Sequence, residues 1–438
     1  MGVARILFNK LKLGGNLWKH RDFQRLWFSD TVTQVGNTFT QVALPILADI
    51  GLGASAFQLG ILIALERIPF PVLGLFAGVW ADRFQKRSIM MLCNIGRTTS
   101  LASIPLAYTL GSLSLDQLYL VGLANGIFQV FFDISYQAYL PNLIERSDLL
   151  EGNSKLQISS SGAQLVGPSL AGFVTQIIGA AYAIAVDAIG YLTSVMALLS
   201  IRKREPKREQ TRTSNFFGEM KEGIQVVIHN RTLTHIIGAT ATSNLGSSII
   251  ASPFIYFVLN NLHFSKFAYG VLGSFGALGF LVGVVITPSI TKKFGLGLTL
   301  AISIGSSGFL IMLNPLAQYG YSFVFLAALS FGSAFWIPAY NINQISLRQA
   351  IVDIKLQGRM NATVRTVVWG TLPVGTLIGG FLASEIGIAN SIFVGGFIAG
   401  LAFLWIITGP VFRMKEHPKS LIVSEDAGDS TTVTKAPP

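Results

Sequence analysis

Twelve long apolar runs, separated by short polar connections, leave this chain few ways to fold. They lie near residues 25–48, 57–81, 88–110, 117–140, 157–178, 182–201, 233–258, 267–290, 297–316, 320–342, 361–384 and 388–409. A helix needs about 20 apolar residues to cross about 30 Å of hydrocarbon. Hydrocarbon offers the backbone no hydrogen-bond partner, so each run is expected to be a helix that satisfies its own amides. The expected fold class is an all-α integral membrane protein with twelve transmembrane helices.

The placement of charge orients those helices. All but four of the 32 Lys and Arg fall in the terminal segments or in the connections after even-numbered runs. The exceptions are Arg67, Arg97 and Arg365 inside runs, and Lys266 in an odd-numbered connection. Basic residues near span ends are retained on the cytoplasmic side, so both termini and the even connections are expected there. The net charge of +11 is spread along these segments, which suits an anionic leaflet. No basic recognition element is present, and no nucleic-acid partner is expected. Cys93 is the only cysteine, so no intramolecular disulfide forms, and no Cys/His cluster suggests a metal or cofactor. Without a Gly-x-x-x-x-Gly-Lys-Ser/Thr loop, ATP-driven transport has no support. Nor is there a nucleophile–base constellation of the kind an enzyme requires. Residues 1–22 are basic and interrupted by Gly14-Gly15, which reads as a cytoplasmic arm rather than a cleavable signal.

A hydrophilic stretch at 202–231 separates two sets of six runs, giving bundles over 23–201 and 232–410 and a polar, disordered tail over 411–438. The two sets echo each other. A shift of 208 places Asn153 on Asn361, Gly167 on Gly375 and Gly172 on Gly380. Small residues recur every fourth position in both copies: Ser159, Ala163, Gly167 and Ala171 in one, Thr371, Gly375, Gly379 and Ala383 in the other. Such stripes let helix backbones approach closely in lipid. Duplicated six-helix halves suggest a site at their interface and alternating access by rocking.

Between the second and third runs stands Gly78-Val-Trp-Ala-Asp82-Arg83-Phe-Gln-Lys86-Arg87. It resembles the loop motif of the major facilitator superfamily, with Gln85 where that family has Gly. Gly162, Gly167, Pro168 and Gly172 in the fifth run are similar to the same superfamily's antiporter motif. Further phrases, among them Arg21-Asp-Phe-Gln-Arg-Leu-Trp27, Asp187-Ala-Ile-Gly-Tyr191 and Gly358-Arg359-Met-Asn361, resemble the branch that contains macrolide efflux proteins and the enterobactin exporter. The resemblance implies the two-bundle major facilitator fold, an efflux function and antiport. The family's Arg-x-x-Gln-Gly motif in the fourth span is missing; Asn125-Gly126 stands nearby. Asp82 ends a helix near where the eleventh run begins, around Asn361. A carboxylate beside a helix N-terminus gains about 0.3–1 kcal/mol, so Asp82 is expected to latch the halves. Arg83, Lys86 and Arg87 are expected to pair with acids such as Glu145 or Asp148.

Charges inside the runs are the second set of candidates. Each costs about 2.5–3.5 kcal/mol at mid-span on insertion scales, and so faces protein or a wet cavity. These are Asp30, Glu66, Arg67, Arg97, Asp133, Asp187 and Arg365. Glu66 and Asp30 are the leading candidates for coupling or substrate contact; Arg97 with Asp133 is the leading structural pair. Aromatic residues such as Phe70, Phe254 and Trp369, with Gln34, Asn37 and Gln129, are candidates to line a substrate cavity. The expected protein is a proton-coupled exporter of a mid-sized amphipathic molecule, such as a macrolide or a siderophore, working as a monomer in a bacterial cytoplasmic membrane. A solute symporter or lysophospholipid flippase is the alternative, and a membrane scaffold or receptor is the alternative of a different class.

Overall fold

A computed structural model describes residues 16–74, 77, 84–145, 148–203, 205, 224–352 and 354–416. Nearly all of them are helical. Helix α1 runs Arg21–Ile46 and continues as a π-helical turn, Leu47–Gly51. It is followed by α2 (Ala56–Gly74), α3 (Lys86–Thr109), α4 (Leu115–Leu143), α5 (Leu149–Ile178) and α6 (Ala180–Ser200). The second set comprises α7 (Arg231–Asn261), α8 (Lys266–Phe294), α9 (Leu296–Tyr319), α10 (Ser322–Ile351), α11 (Ile354–Ile386) and α12 (Ile388–Thr408). Nine of these are long and apolar enough to cross a membrane. The other three are α1, α3 and α5, which carry the densest polar content: Asp30, Gln34 and Asn37; Asn94 and Arg97; Lys155, Gln157 and Gln164. Asp30, Asn94, Arg97 and Lys155 are buried, and this polar content is why composition alone ranks the three helices low.

The repeat is legible in the helix bounds. A shift of 210 carries α1 onto α7 and α3 onto α9, end to end, and a shift of 208 carries α6 onto α12. Glycines at equivalent places make two of the tightest reversals. Gly179 joins α5 to α6 at φ +89°, and Gly387 joins α11 to α12 at φ +87°. Only glycine adopts that backbone without strain. Ser55, Ser114 and Ser265 cap α2, α4 and α8, each accepting from a backbone N–H three residues on. A cap of this kind contributes about 0.5–2 kcal/mol. The face bearing these caps has no connection longer than residues 110–114. We call it the opposite face, and the face carrying residues 16–20, 410–416 and the basic connections the basic face.

The halves are joined at one face and parted at the other. At the opposite face a single apolar core takes Leu44, Leu47, Leu59 and Ile184 from the first half and Ile255 and Leu259 from the second. At the basic face each half keeps its own core, one around Phe23, Leu140 and Leu198, the other around Leu300, Leu347 and Ile406. Two glycine crossings hold the seam. A Cβ on Gly172 of α5 would stand 3.1 Å from the Cα of Gly270 in α8, and one on Gly60 of α2 would stand 3.4 Å from the Cα of Gly380 in α11. The repeat exchanges these crossings: Gly60 falls on Gly270 and Gly172 on Gly380.

Helix α11 begins at Ile354, two turns before Asn361, so Asn361 is inside the helix and not at its N-terminus. The polar residues 354–360 continue the helix beyond its apolar stretch, which the hydropathy pattern could not register. Leu17 of the N-terminal arm is buried, Trp18 packs edge-on against Trp27 at 5.0 Å, and Lys155 Nζ lies 4.3 Å above the Trp18 ring. That end of the arm is docked on the first bundle. Residues 417–438, and residues 206–223 of the hydrophilic stretch, lie outside the described residues; 224–228 are helical.

Candidate functional site

Three of the seven charge candidates, Arg97, Asp133 and Asp187, share one network inside the first half. Arg97 of α3 is fully buried (0% exposed). Its Nη1 donates to the Tyr191 hydroxyl at 3.3 Å and its Nη2 donates to Gln129 Oε1. Gln129 in turn donates from Nε2 to Asp133 Oδ1 at 2.6 Å. The expected direct pair of Arg97 and Asp133 is therefore an amide-bridged relay. The rings of Phe132 and Tyr191 flank the guanidinium, at 5.3 and 5.0 Å from Cζ. The Tyr191 hydroxyl donates in turn to Asn37 Oδ1 of α1. One turn along α6, Asp187 accepts from Thr40. A Cβ on Gly36 would collide with Asp187 Oδ1, so that glycine makes room for the carboxylate. Neither Asp187 Oδ1 nor Arg97 Nε has a hydrogen-bond partner among the described residues. The field of Arg97 thus serves two carboxylates without a direct ion pair to either.

Helix α1 carries this network into two cavities of different character. Towards the basic face, Asp30, Gln34, Tyr136, Gln137, Asn153 and Gln157 line a cavity of about 320 Å³. All belong to the first half. Towards the opposite face, Gln41, Pro168, Phe254, Tyr269, Leu272 and Leu329 contribute to a cavity of about 440 Å³, most of whose lining comes from the second half. Gln34 and Gln41 are two helical turns apart, which sets the cavities on one side of α1 about 10 Å from each other. Asp30 therefore sits where a polar group arriving from the basic face would meet it.

The adjacent residues Glu66 and Arg67 part company. Arg67 reaches across the seam, its Nη1 3.4 Å from Ser248 Oγ of α7. Glu66 packs on α4, its Cγ 3.3 Å from where a Cβ of Gly122 would be. No ion pair joins them among the described residues. Phe70 and Trp369 meet edge to face across the same seam at 4.9 Å, and Arg365, exposed, lies over Trp369 at 4.7 Å. These aromatic and charged residues form the seam between α2 and α11.

The loop-motif candidates Gly78, Asp82 and Arg83 lie outside the described residues. Lys86 and Arg87 begin α3, and their expected pairing with Glu145 or Asp148 is not what the structure shows. Their backbone N–H groups donate to Glu205, at 2.9 and 2.6 Å, so Glu205 caps α3. The Arg87 side chain donates to Leu199 O at 2.8 Å. Nearby, Asp22 accepts from the backbone of Arg202 and Lys203, at 3.1 and 3.0 Å, and pairs with Arg25 at 2.8 Å. Partial burial pushes the Asp22 carboxyl up, and these donors outweigh it, holding the group below the ordinary carboxylate range. Acid at the start of a basic linker looked unremarkable in the sequence; its role depends on a fold that returns 205 to 86.

Packing glycines separate by target. Gly167 abuts Thr38 of α1, Gly375 and Gly379 abut α7, and Gly172 with Pro168 abuts α8 across the seam. Gly162 has nothing within 4 Å of where its Cβ would be, so it is not a packing position. It begins the sequence motif but faces open space.

Comparison with known proteins now decides the family. Residues 17–426 match the family described as transmembrane secretion effector. The chain belongs to that family of the major facilitator superfamily. It is a multi-pass membrane transporter and not an enzyme. Macrolide efflux protein A of Streptococcus pyogenes is 25% identical over 399 residues, 87% of this chain and 94% of that protein. The enterobactin exporter EntS of Citrobacter koseri is 24% identical over 411 residues, 91% and 94% respectively. In fold, the chain resembles a bacterial homologue of the iron transporter ferroportin: TM-score 0.73 to its inward-facing state at 14% identity, covering 89% of this chain and 98% of that one. Against the outward-facing state of the same homologue the TM-score is 0.59 over 88% and 98%.

Proposed function

We propose that this transporter is a proton-driven exporter of a mid-sized amphipathic organic molecule, a macrolide-like drug or a siderophore being the leading substrates. It works as a monomer in the bacterial cytoplasmic membrane, with the basic face inside. The observation that carries the reading is the paired cavity on α1: a polar chamber holding Asp30 near the basic face, and a mainly apolar one beyond it. An amphipathic molecule about 10 Å or more in length fits that polarity order. Relatives named for macrolide efflux and enterobactin export support efflux as the direction. The shared core at the opposite face and the better overlap with an inward-facing transporter support a molecule caught open to the cytoplasm.

In this reading substrate enters from the basic face and the halves rock about the glycine crossings. Asp30 or Glu66 exchanges a proton between the two access states. Asp82 latches the closed basic face against α11, whose first turn is at Ile354. Inside-out vesicles test the proposal. With the vesicle interior acid, a labelled macrolide or catecholate siderophore should accumulate, and a protonophore should collapse the gradient. Accumulation that ignores the protonophore and follows ATP instead overturns it.

A further inference from the structure

The tips of α1 and α7 at the opposite face share a feature that the transport reading does not use. Both helices end in π-helical turns, Leu47–Gly51 and Phe257–Asn261, which the repeat superimposes at a shift of 210. Turns of this kind interrupt a helix at some cost and recur at functional positions. One closing bond repeats: Ala54 N–H donates back to Ala48 O at 2.9 Å, and Phe264 N–H donates back to Val258 O at 3.0 Å. The turns bring Asp49 and Asn260 together, Asn260 Nδ2 donating to Asp49 Oδ2 at 2.7 Å. Asp49 is 6% exposed.

We propose that Asp49 and Asn260 are the positioning pair that holds the opposite face shut: a hydrogen bond between the halves that exists only while the molecule is open to the basic face. The proposal rests on the rocking carrier described above. The rest of the seam at this face is helix on helix, held by glycine crossings, apolar residues and neutral hydrogen bonds, Ser169 to Ser274 at 2.7 Å and Lys266 N–H to Gln176 Oε1 at 3.1 Å. A carboxylate is different. Buried, it needs a donor; separated from Asn260 by rocking, it must be hydrated. Contact and solvation are two discrete arrangements, which gives the seam a defined threshold. A carboxylate facing an amide forms a charge-assisted bond, stronger than an amide–amide contact. Two carboxylates in the same place would repel.

The bond needs one carboxylate and one amide in contact, whichever turn carries which, so the partners should be exchangeable. A cysteine replaces Gln41, which lines the inner cavity, in a Cys93→Ala background. Its reaction with an impermeant maleimide is timed in right-side-out vesicles, where only opening of the opposite face admits the reagent. Asn260→Asp should raise the labelling rate roughly tenfold, the size expected for losing one charge-assisted hydrogen bond. Adding Asp49→Asn to Asn260→Asp should restore a rate near that of the parent. Restoration also shows that the altered chains fold. Unchanged labelling in Asn260→Asp, or a double variant as fast as the single one, overturns the latch. The measurement needs no substrate, so its failure is separate from failure of the export reading. In transport assays the single variant should change maximal rate far more than the substrate concentration for half-maximal rate.

Discussion

The two halves of this transporter share a frame and differ in chemistry. Three of their six helix pairs start and stop at equivalent residues, and their glycine crossings exchange under the repeat. The charges do not repeat. By the same shifts Asp30 falls on Thr240, Glu66 on Gly276, Arg97 on Ser307 and Asp187 on Gly395. Thr240 in the second half makes a neutral contact, 2.8 Å from the Tyr340 hydroxyl. Symmetry is kept where motion needs it and lost where charge is handled. On this view the first half carries the proton work and the second half supplies apolar cavity wall.

The sharpest way to break that comparison is Arg97→Gln. It strands Asp133 and Asp187 without their shared cation, and removing one member of a buried charge group costs about 3–5 kcal/mol. We expect a steep fall in membrane abundance and melting temperature. Ser307→Ala, at the equivalent place, should change neither. Equal losses at the two sites would remove the asymmetry.

Coupling comes next in size. Asp30→Asn, or Glu66→Gln, should abolish uphill export driven by a pH gradient and leave downhill substrate exchange in proteoliposomes intact. Exchange needs rocking but no net proton movement. Thr240→Ala should preserve both activities. Should uphill export persist in both acidic-site variants, the proton site moves to Asp133.

The shared frame makes the opposite kind of forecast, of equal effects. Gly270→Ala would drive a methyl against Pro168 O, and Gly60→Ala, at the equivalent place, would drive one against Thr376 O. Overpacking of this sort costs about 1–3 kcal/mol, and here it falls on the state closed at the opposite face. Both variants should therefore shift labelling of a Gln41→Cys reporter to a similar extent. A large disparity would mean that the two crossings bear unequal load. Gly162→Ala, facing open space, should be silent or slightly stabilising, since alanine favours helix over glycine by about 1 kcal/mol.

The smallest effect concerns the linker. Asp22→Asn should speed tryptic cleavage at Arg202 and Lys203 by roughly threefold, the value of one modest hydrogen bond. Asp22 has its carboxyl lowered by its donors, so its contribution is present above the unfolded value near 3.9 and is lost as pH falls through the folded one. Cleavage of the parent protein should be flat from about pH 5 to 8, where Asp22 stays ionised.

How much of this was legible beforehand follows the range of the interactions. Helix number, the repeat and the family all lie in local periodicity and spacing, and the sequence shows them. The polar helices α1, α3 and α5 are legible too, because short apolar runs survive between their polar residues. Contacts set by tertiary folding were not legible. Arg97 bonds to Gln129 and Tyr191 rather than pairing with Asp133, because two helices set the distance that a single chain position cannot. Glu205 caps α3 from 118 or more residues away. Gly162 looks like its motif neighbours yet faces away from every helix. Asp49 stands just past an apolar run, where a carboxylate carries no signal of its own, and the repeat sets it one place from the equivalent of Asn260.

The short connections of the opposite face have a consequence outside transport. On the orientation proposed here, that face is the one turned away from the cytoplasm. It offers single-residue reversals at Gly179 and Gly387 and connections of two to five residues elsewhere. Antibodies and proteases, which take hold of protruding loops, have little to grasp. The longest of the connections, 110–114, bends at Gly111, where the backbone turns at φ +67° with no neighbour within 4 Å of where a Cβ would be. An epitope inserted there would give a bare surface its handle.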